Sequence, residues 1–235
     1  MKSIRVENFA GLAECSTDTF SSVESFPPVN YEFLSGKTYG IISDFGCGGW
    51  GLANAITGNG RWETQSKVYI DKRLSTKEKL KLLSGNVLDP IWYNFFDDKS
   101  KCTVHNCIEY ALFASHQKYT HSEIKDIFCL SNARYNRTMD FVSGEIWSIS
   151  LAILFALGKH IIAYPWLNAI DARKILFLQK QGIIDFLEKQ GTLLLLPSSQ
   201  KSIISKCCNN YICFKGQQSN IVKKLIHNDA VVIAP

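Results

Sequence analysis

Four glycines, Gly46, Gly48, Gly49 and Gly51, fall within the nine residues 43–51, SDFGCGGWG. Backbone N–H groups on such a turn can be aimed at a phosphate-type anion, provided that a strand leads in and a helix leads out. Residues 39–42 read as a short buried strand and residues 52–56 as a helix closed by Gly58, which supplies that context. Against the phosphate-binding pattern G-x-x-x-x-G-K-[ST], however, the chemistry is missing. Ser43 stands at the first glycine, Gly46 and Gly48 keep the inner ones, Gly49 stands at the lysine and Trp50 at the magnesium-binding hydroxyl. Three readings of Gly46, Cys47, Gly48, Gly49, Trp50 and Gly51 are open. The first, which is preferred, is a structural turn derived from a phosphate loop. The second is weak nucleotide binding through N–H groups alone, and the third, least favoured, is intact catalysis. An indole at Trp50 could fill the space that a phosphate would take.

The segment CTVHNC places Cys102, His105 and Cys107 within six residues, a set that could supply three metal ligands. It reads better as a strand running into a helix, so small buried side chains are the preferred role and no metal is assigned. The other cysteines are Cys15, Cys47, Cys129, Cys207, Cys208 and Cys213; none forms a C-x-x-C pair, and free thiols are expected.

The elements that must position these residues follow from periodicity and turn chemistry. Residues 16–29, rich in Ser, Thr and Pro, suggest an irregular connection or a twisted edge strand. Residues 30–34 alternate with aromatics, and Ser35-Gly36-Lys37 reads as a turn into the strand before the glycine loop, a hairpin. Residues 67–70 form a plausible strand. A capping box at Ser75 opens a short helix that Gly85 would stop, and a second box begins at Thr120. Between them, residues 86–98 form an aromatic-rich loop, preferred as a satellite core over a docking surface, and residues 103–114 read as a helix. Residues 132–140 look loop-like. Ser143 is expected to cap a helix with Ile146, Ile149, Ile153, Leu154 and Leu157 on its inner face, and Asp171 another, broken at Gly182. Residues 161–164 read as a buried strand and residues 192–196 as a central parallel strand covered on both faces. Residues 199–207 look helical, and residues 211–214 give a last strand. The order is that of an α/β chain with a parallel sheet and a helical insertion.

Composition bounds the rest. The 235 residues fit one large domain, and 46% hydrophobic content suffices for a sizeable core. The excess of 26 Lys and Arg over 21 Asp and Glu, +5, is too small and scattered to argue for nucleic acid. No apolar stretch reads as a signal peptide or a membrane span, so the expectation is a soluble or peripheral protein.

The order of elements and several segments together resemble the nucleotide-binding domain of ABC transporters over nearly the whole chain. Residues 30–58 look like the entry strands and phosphate loop. CTVHNCIEYAL at 102–112 is similar to the family's L-T-V-x-E-N-I-x-Y-A-L, and FVSGEIWSISLAILFAL at 141–157 to its L-S-G-G-E/Q signature and helix. IIAYPWLNAID at 161–171 resembles the Walker B strand and the S-A-L-D loop. QGTLLLLPSS at 190–199 resembles the last core strand and switch-histidine loop, and CCNNYICFKG at 207–216 the L-C-D-R-I-x-x-L-x-x-G segment.

The resemblance implies a P-loop NTPase-like α/β core of mostly parallel sheet, with an N-terminal antiparallel part and an inserted helical subdomain. It divides the single domain 1–235 into a core of 1–88 and 141–235 and a helical subdomain 89–140. It makes Ser143, Gly144 and Glu145 a degenerate signature, in either of two registers, and Asp171 a helix cap and a dimer-contact residue. The Walker B acids would fall on Tyr164 and Pro165, or on Pro165 and Trp166. The switch histidine would fall near Ser198 or Ser199, and Asp89 is the nearest polar match to the Q-loop glutamine. No catalytic residue is therefore assigned, and binding of ATP with magnesium is expected to be weak or absent.

The favoured function is that of a catalytically defective ABC-type subunit, cytoplasmic and peripheral on the inner face of the membrane. It would pair with an intact nucleotide-binding subunit, as a homo- or heterodimer, or with permease subunits. A scaffold that has left transport, and an ATPase completed by a partner, stay as alternatives.

Overall fold

The computed structural model describes residues 1–17, 20–208 and 210–213, without the side chains of residues 16, 17, 20 and 21. Two five-stranded sheets organise the chain. The N-terminal sheet is antiparallel: β1 (Ser3–Thr17) pairs along its length with β2 (Phe20–Leu34), and its other side carries β4 (Arg61–Trp62) and β5 (Lys67–Ile70), the latter paired with β6 (Arg73–Leu74). The second sheet is wholly parallel, in the order β10 (Asn210–Cys213), β3 (Thr38–Ile42), β9 (Leu193–Ser198), β8 (Ile161–Ala163), β7 (Ser84–Asn86).

The side-chain period of two splits the parallel sheet between two cores. Ile161, Ala163, Leu193 and Leu195 pack with α1 (Gly49–Ile56) and the antiparallel sheet, in a core that also holds Phe9, Phe33 and Leu52. Ile162, Leu194 and Leu196 pack into the opposite, larger core. That core collects α3 (Val104–Ser115), α4 (His121–Ile127), α6 (Ile146–Ala156), α7 (Ala169–Lys180) and α8 (Ile183–Lys189). β9 lies at the centre with all six residues buried, as its unbroken apolar run requires. Between β7 and β8 the described chain is helical, and no strand of either sheet falls there.

Several expectations are corrected. Residues 30–34 and 38–42 form no hairpin. β2 is held antiparallel by β1, whereas β3 takes parallel neighbours on both sides, so the turn at Ser35-Gly36-Lys37 passes the chain from one sheet to the other. Residues 16–29 belong largely to the β1–β2 hairpin, with β2 at the sheet edge, which is the edge-strand alternative. Pro27 and Pro28 sit where the register shifts between Phe9–Val29 and Gly11–Phe26, so no ladder bond is asked of a residue without an N–H.

α2 (Lys77–Leu83) is capped by Thr76, one residue beyond Ser75, and Gly85 lies in β7 instead of ending the helix. An ideal Cβ on Gly85 would lie 2.3 Å from Leu154 Cδ2, so the leucine packs directly over this glycine. The box at Thr120 is present, with Thr120 and Glu123 each bonding the other's backbone N–H. Residues 132–140 hold a short helix, α5 (Asn132–Tyr135), and a 3-10 turn at Met139–Phe141. Ser143 does not cap α6: it starts a 3-10 turn, Ser143–Glu145, with φ +25°. α7 is capped by Asn168, whose Oδ1 accepts from Ile170 N and Asp171 N, so Asp171 sits in the first turn. Residues 199–207 contain only the short α9 (Lys201–Ile204). The last strand is described over Asn210–Cys213, and the part of that expectation at Phe214 lies outside the described residues.

The candidate phosphate loop and its surroundings

β3 delivers the chain to the glycine turn, and Gly48 (φ +93°) caps α1 without a side chain. The N–H groups of the turn already have an acceptor, the Glu24 carboxylate. Its two oxygens accept from Gly46 N and Gly51 N, each at 3.0 Å. The backbone N–H groups of Trp50 and Gly48 lie close enough to favour its charged form as well. Glu24 is fully buried. It comes from β2, opposite Ala13, on the inward face shared with Ser22 and Phe26.

Burial pushes the Glu24 carboxyl up, while the Gly51, Gly46, Trp50 and Gly48 N–H groups pull it back; the net direction is upward. β2 also lies close against the turn. A Cβ on Gly48 would come within 2.4 Å of Ser25 O, and one on Gly51 within 2.9 Å of Glu24 O.

Two motif departures meet at one point. An ideal Cβ on Gly49 would fall 2.2 Å from Ser43 Oγ. The Ser43 hydroxyl, at the expected first-glycine position, thus lies where a Cβ at the expected lysine position would stand, and a side chain there would require Ser43 to turn. Trp50 is buried against Ala13 and Cys15, with Phe45 and Trp166 packed alongside. It is the Glu24 carboxylate, and not the Trp50 indole, that meets the loop N–H groups. Cys47 is buried as well.

The end of β8 carries no acid. Tyr164 is buried, its ring is stacked on Trp147 with centroids 5.7 Å apart, and its hydroxyl has no hydrogen-bond partner among the described residues. Burial pushes that phenol far up, so it stays protonated. Trp166 meets Phe45 edge-on at 5.5 Å. Ser198, near the expected switch histidine, donates to Leu167 O at 2.6 Å and accepts from Gln200 N at 2.9 Å, a local bracing role.

Some of the remaining expected site residues converge. Trp50, Ser143 and Asp171 line one cavity of about 640 Å³, together with Trp92, Trp147 and Trp166. Asp171 pairs with Lys174 at 2.8 Å. Gly144 stands in open space, but Glu145 turns inward, accepting from Ser131 N at 3.0 Å and Arg134 Nη1 at 2.6 Å. Asp89 lines a second cavity of about 490 Å³ with Asn54, Tyr164 and Pro165. Cys102 and Cys107 are buried free thiols, 3.4 Å apart.

ATP with magnesium, the ligand that the motif comparison implies, does not fit these residues. Gly46 N and Gly51 N are bonded to a carboxylate, the expected lysine position holds a glycine, and no carboxylate stands at the end of β8 to hold a metal. Sequence reading missed Glu24. The one signal was its alternation with Ser22 and Phe26 in a stretch without another charge between Asp18 and Glu32.

Known structures share the fold. The chain aligns over 91% of its length with 96% of the ATP-binding cassette MJ0796, in a dimeric post-hydrolysis state bound to ADP and Pi, at TM-score 0.62 and 16% identity. It aligns over 98% of its length with 95% of CbiO1 from Clostridium perfringens, part of the ABC transporter complex CbiONQ, at TM-score 0.64 and 13% identity. A third match is MJ1267, an ATP-binding cassette of an ABC transporter in its ADP conformation, with TM-score 0.63, 15% identity, and 92% and 90% of the two chains covered. No protein-family profile and no curated protein matches the chain. The fold is therefore that of an ATP-binding cassette, at identities where the likeness speaks for the fold alone.

Proposed function

We propose that the chain is a cassette-type subunit that does not hydrolyse ATP and works by binding partner proteins. The observation that carries this reading is the end of β8. Phosphoryl transfer to water needs a metal-holding acid and a group that orients the water. Tyr164-Pro165-Trp166 offers a buried protonated phenol, a proline and an indole packed on Phe45. None of the three can accept a proton from water or ligate magnesium at neutral pH.

Residues 89–140, with α3, α4 and α5, would be the helical subdomain of such a subunit, and 1–88 with 141–235 its core. Partner binding is supported by large apolar side chains at the surface near the expected contact segments. Phe141 and Ile170 are 68% and 69% exposed beside Ser143–Glu145 and Asp171. On α3, Phe113 is 80% exposed, one turn from Tyr110, which stacks on Phe95. Aromatic and apolar anchors of this kind are what protein interfaces bury. Among the described residues no helix is long and apolar enough to cross a membrane, so the subunit would sit on the inner face of the membrane through permease subunits and an intact cassette.

The test is phosphate release from Mg·ATP by the purified chain, with mass-spectrometric identification of what co-purifies from its native membrane. Background release together with a permease or an intact cassette is expected. Turnover at about 1 s⁻¹, the low end for kinases, would overturn the reading.

A further inference from the structure

We propose that Glu24 is the resident anion of the glycine loop: its carboxylate holds the place of a phosphate and decides that the loop takes no phosphate from outside. This rests on the reading of residues 43–51 as a phosphate-type loop. The carboxylate accepts from Gly46 N and Gly51 N at 3.0 Å, and the N–H groups of Gly48 and Trp50 also favour its charged form. Convergent backbone donors at the start of α1 suit an anion, because these N–H groups have no partner within the helix. A carboxylate is the side-chain anion whose ordinary pKa leaves it charged at neutral pH.

Three further features agree. Glu24 is fully buried, and a buried charge without donors is costly, so the glycine loop is what permits a glutamate on the inward face of β2. Burial is the largest influence and raises the carboxyl, and the groups that oppose it by favouring the charged form are all backbone N–H groups. The backbone of β2 lies against the turn so closely that Gly48 and Gly51 have no room for a Cβ, so the strand covers the turn as well as filling it. An anion from solution would have to displace the carboxylate, which is tethered and therefore present at high effective concentration.

The experiment is anion rescue. Wild type, Glu24→Ala, Glu24→Gln and the exposed control Glu63→Ala are melted in chloride, formate, acetate and inorganic phosphate at tens of millimolar. Each protein is also titrated with tripolyphosphate by calorimetry. Glu24→Ala should melt lower than wild type in chloride. It should recover part of the loss in formate or phosphate, and bind tripolyphosphate at least about tenfold more tightly than wild type. Wild type and Glu63→Ala should not respond. Glu24→Gln, which keeps the shape but turns an amide NH2 toward the donors, should also melt lower.

If Glu24→Ala does not fold, wild type still decides. Slow amide exchange at Gly46 and Gly51 in plain buffer supports the proposal, and fast exchange refutes it. Equal melting of Glu24→Ala and wild type, a loss that no anion rescues, or tripolyphosphate binding by wild type as tight as by the variant would each overturn it. ATP turnover enters none of these outcomes. Turnover by wild type would sink the functional reading, whereas a failed rescue would sink the role of Glu24 and leave that reading standing.

Discussion

At position 49 the expected lysine site and the expected first-glycine site, Ser43, meet in space. Ser43 Oγ lies 2.2 Å from where a Cβ on Gly49 would stand. Gly49→Ala should therefore destabilise the protein by about 1–3 kcal/mol through overpacking, although alanine is otherwise the better helix residue. Ser43→Gly in the same chain should restore most of that loss. Urea unfolding of the two single variants and the double variant should give a coupling of about 0.5–3 kcal/mol, and simple additivity would contradict the steric account. The sequence made each departure visible, because the motif pattern fixes residue types by position. It could not show that they are coupled, nor that Glu24, 22 residues before Gly46, closes the same loop. Pairing between distant residues depends on strand register, which the Ser- and Pro-rich composition of β2 disguises.

At the scale of elements, β3, β8 and β9 were legible from their apolar runs and the longer helices from their periodicity, whereas the three-residue β7 and the one-turn α5 were missed. β9 reads as a buried strand from its apolar run, and α4 as a helix from its capping box. Thr120→Ala should cost about 1 kcal/mol in thermal unfolding, since it removes the acceptor for Glu123 N. Errors gathered at element ends. The start of α6 is one of them: Ser143 looked like a cap, yet Glu145 does the bracing by reaching back to Ser131 and Arg134. Burial acts to raise the Glu145 carboxyl, but the Ser131 and Arg134 donors outweigh it and hold the group below its usual 4.5. A carboxyl lowered in the folded state contributes stability that is present above the unfolded value and is lost as pH falls through the folded one. Stability should thus decline below about pH 4.5, and Glu145→Gln should flatten that part of the profile in denaturant melts from pH 6 to 3. An unchanged profile would remove Glu145 from this role.

Over the whole molecule, the order of strands and helices carried the likeness to cassettes. Core packing constrains the order of elements, whereas the loops that would do the chemistry are free to change. The exposed Phe141 and Ile170 give a prediction at this scale. Phe141→Ser with Ile170→Ser should leave stability within about 0.5 kcal/mol and weaken capture of a partner by about 2 kcal/mol. Thermal melts and pull-down from native membranes, run side by side, separate the two effects. Loss of folding instead of loss of capture would show that both side chains serve the core.

The most direct test of the account is amide hydrogen exchange in wild type across residues 43–56, with and without millimolar Mg·ATP. With Glu24 bonded to the N–H groups of Gly46 and Gly51, protection there should be high before nucleotide is added and should not change afterwards. New protection on adding Mg·ATP, confined to this loop, would mean that the loop still receives phosphate, and would contradict the account.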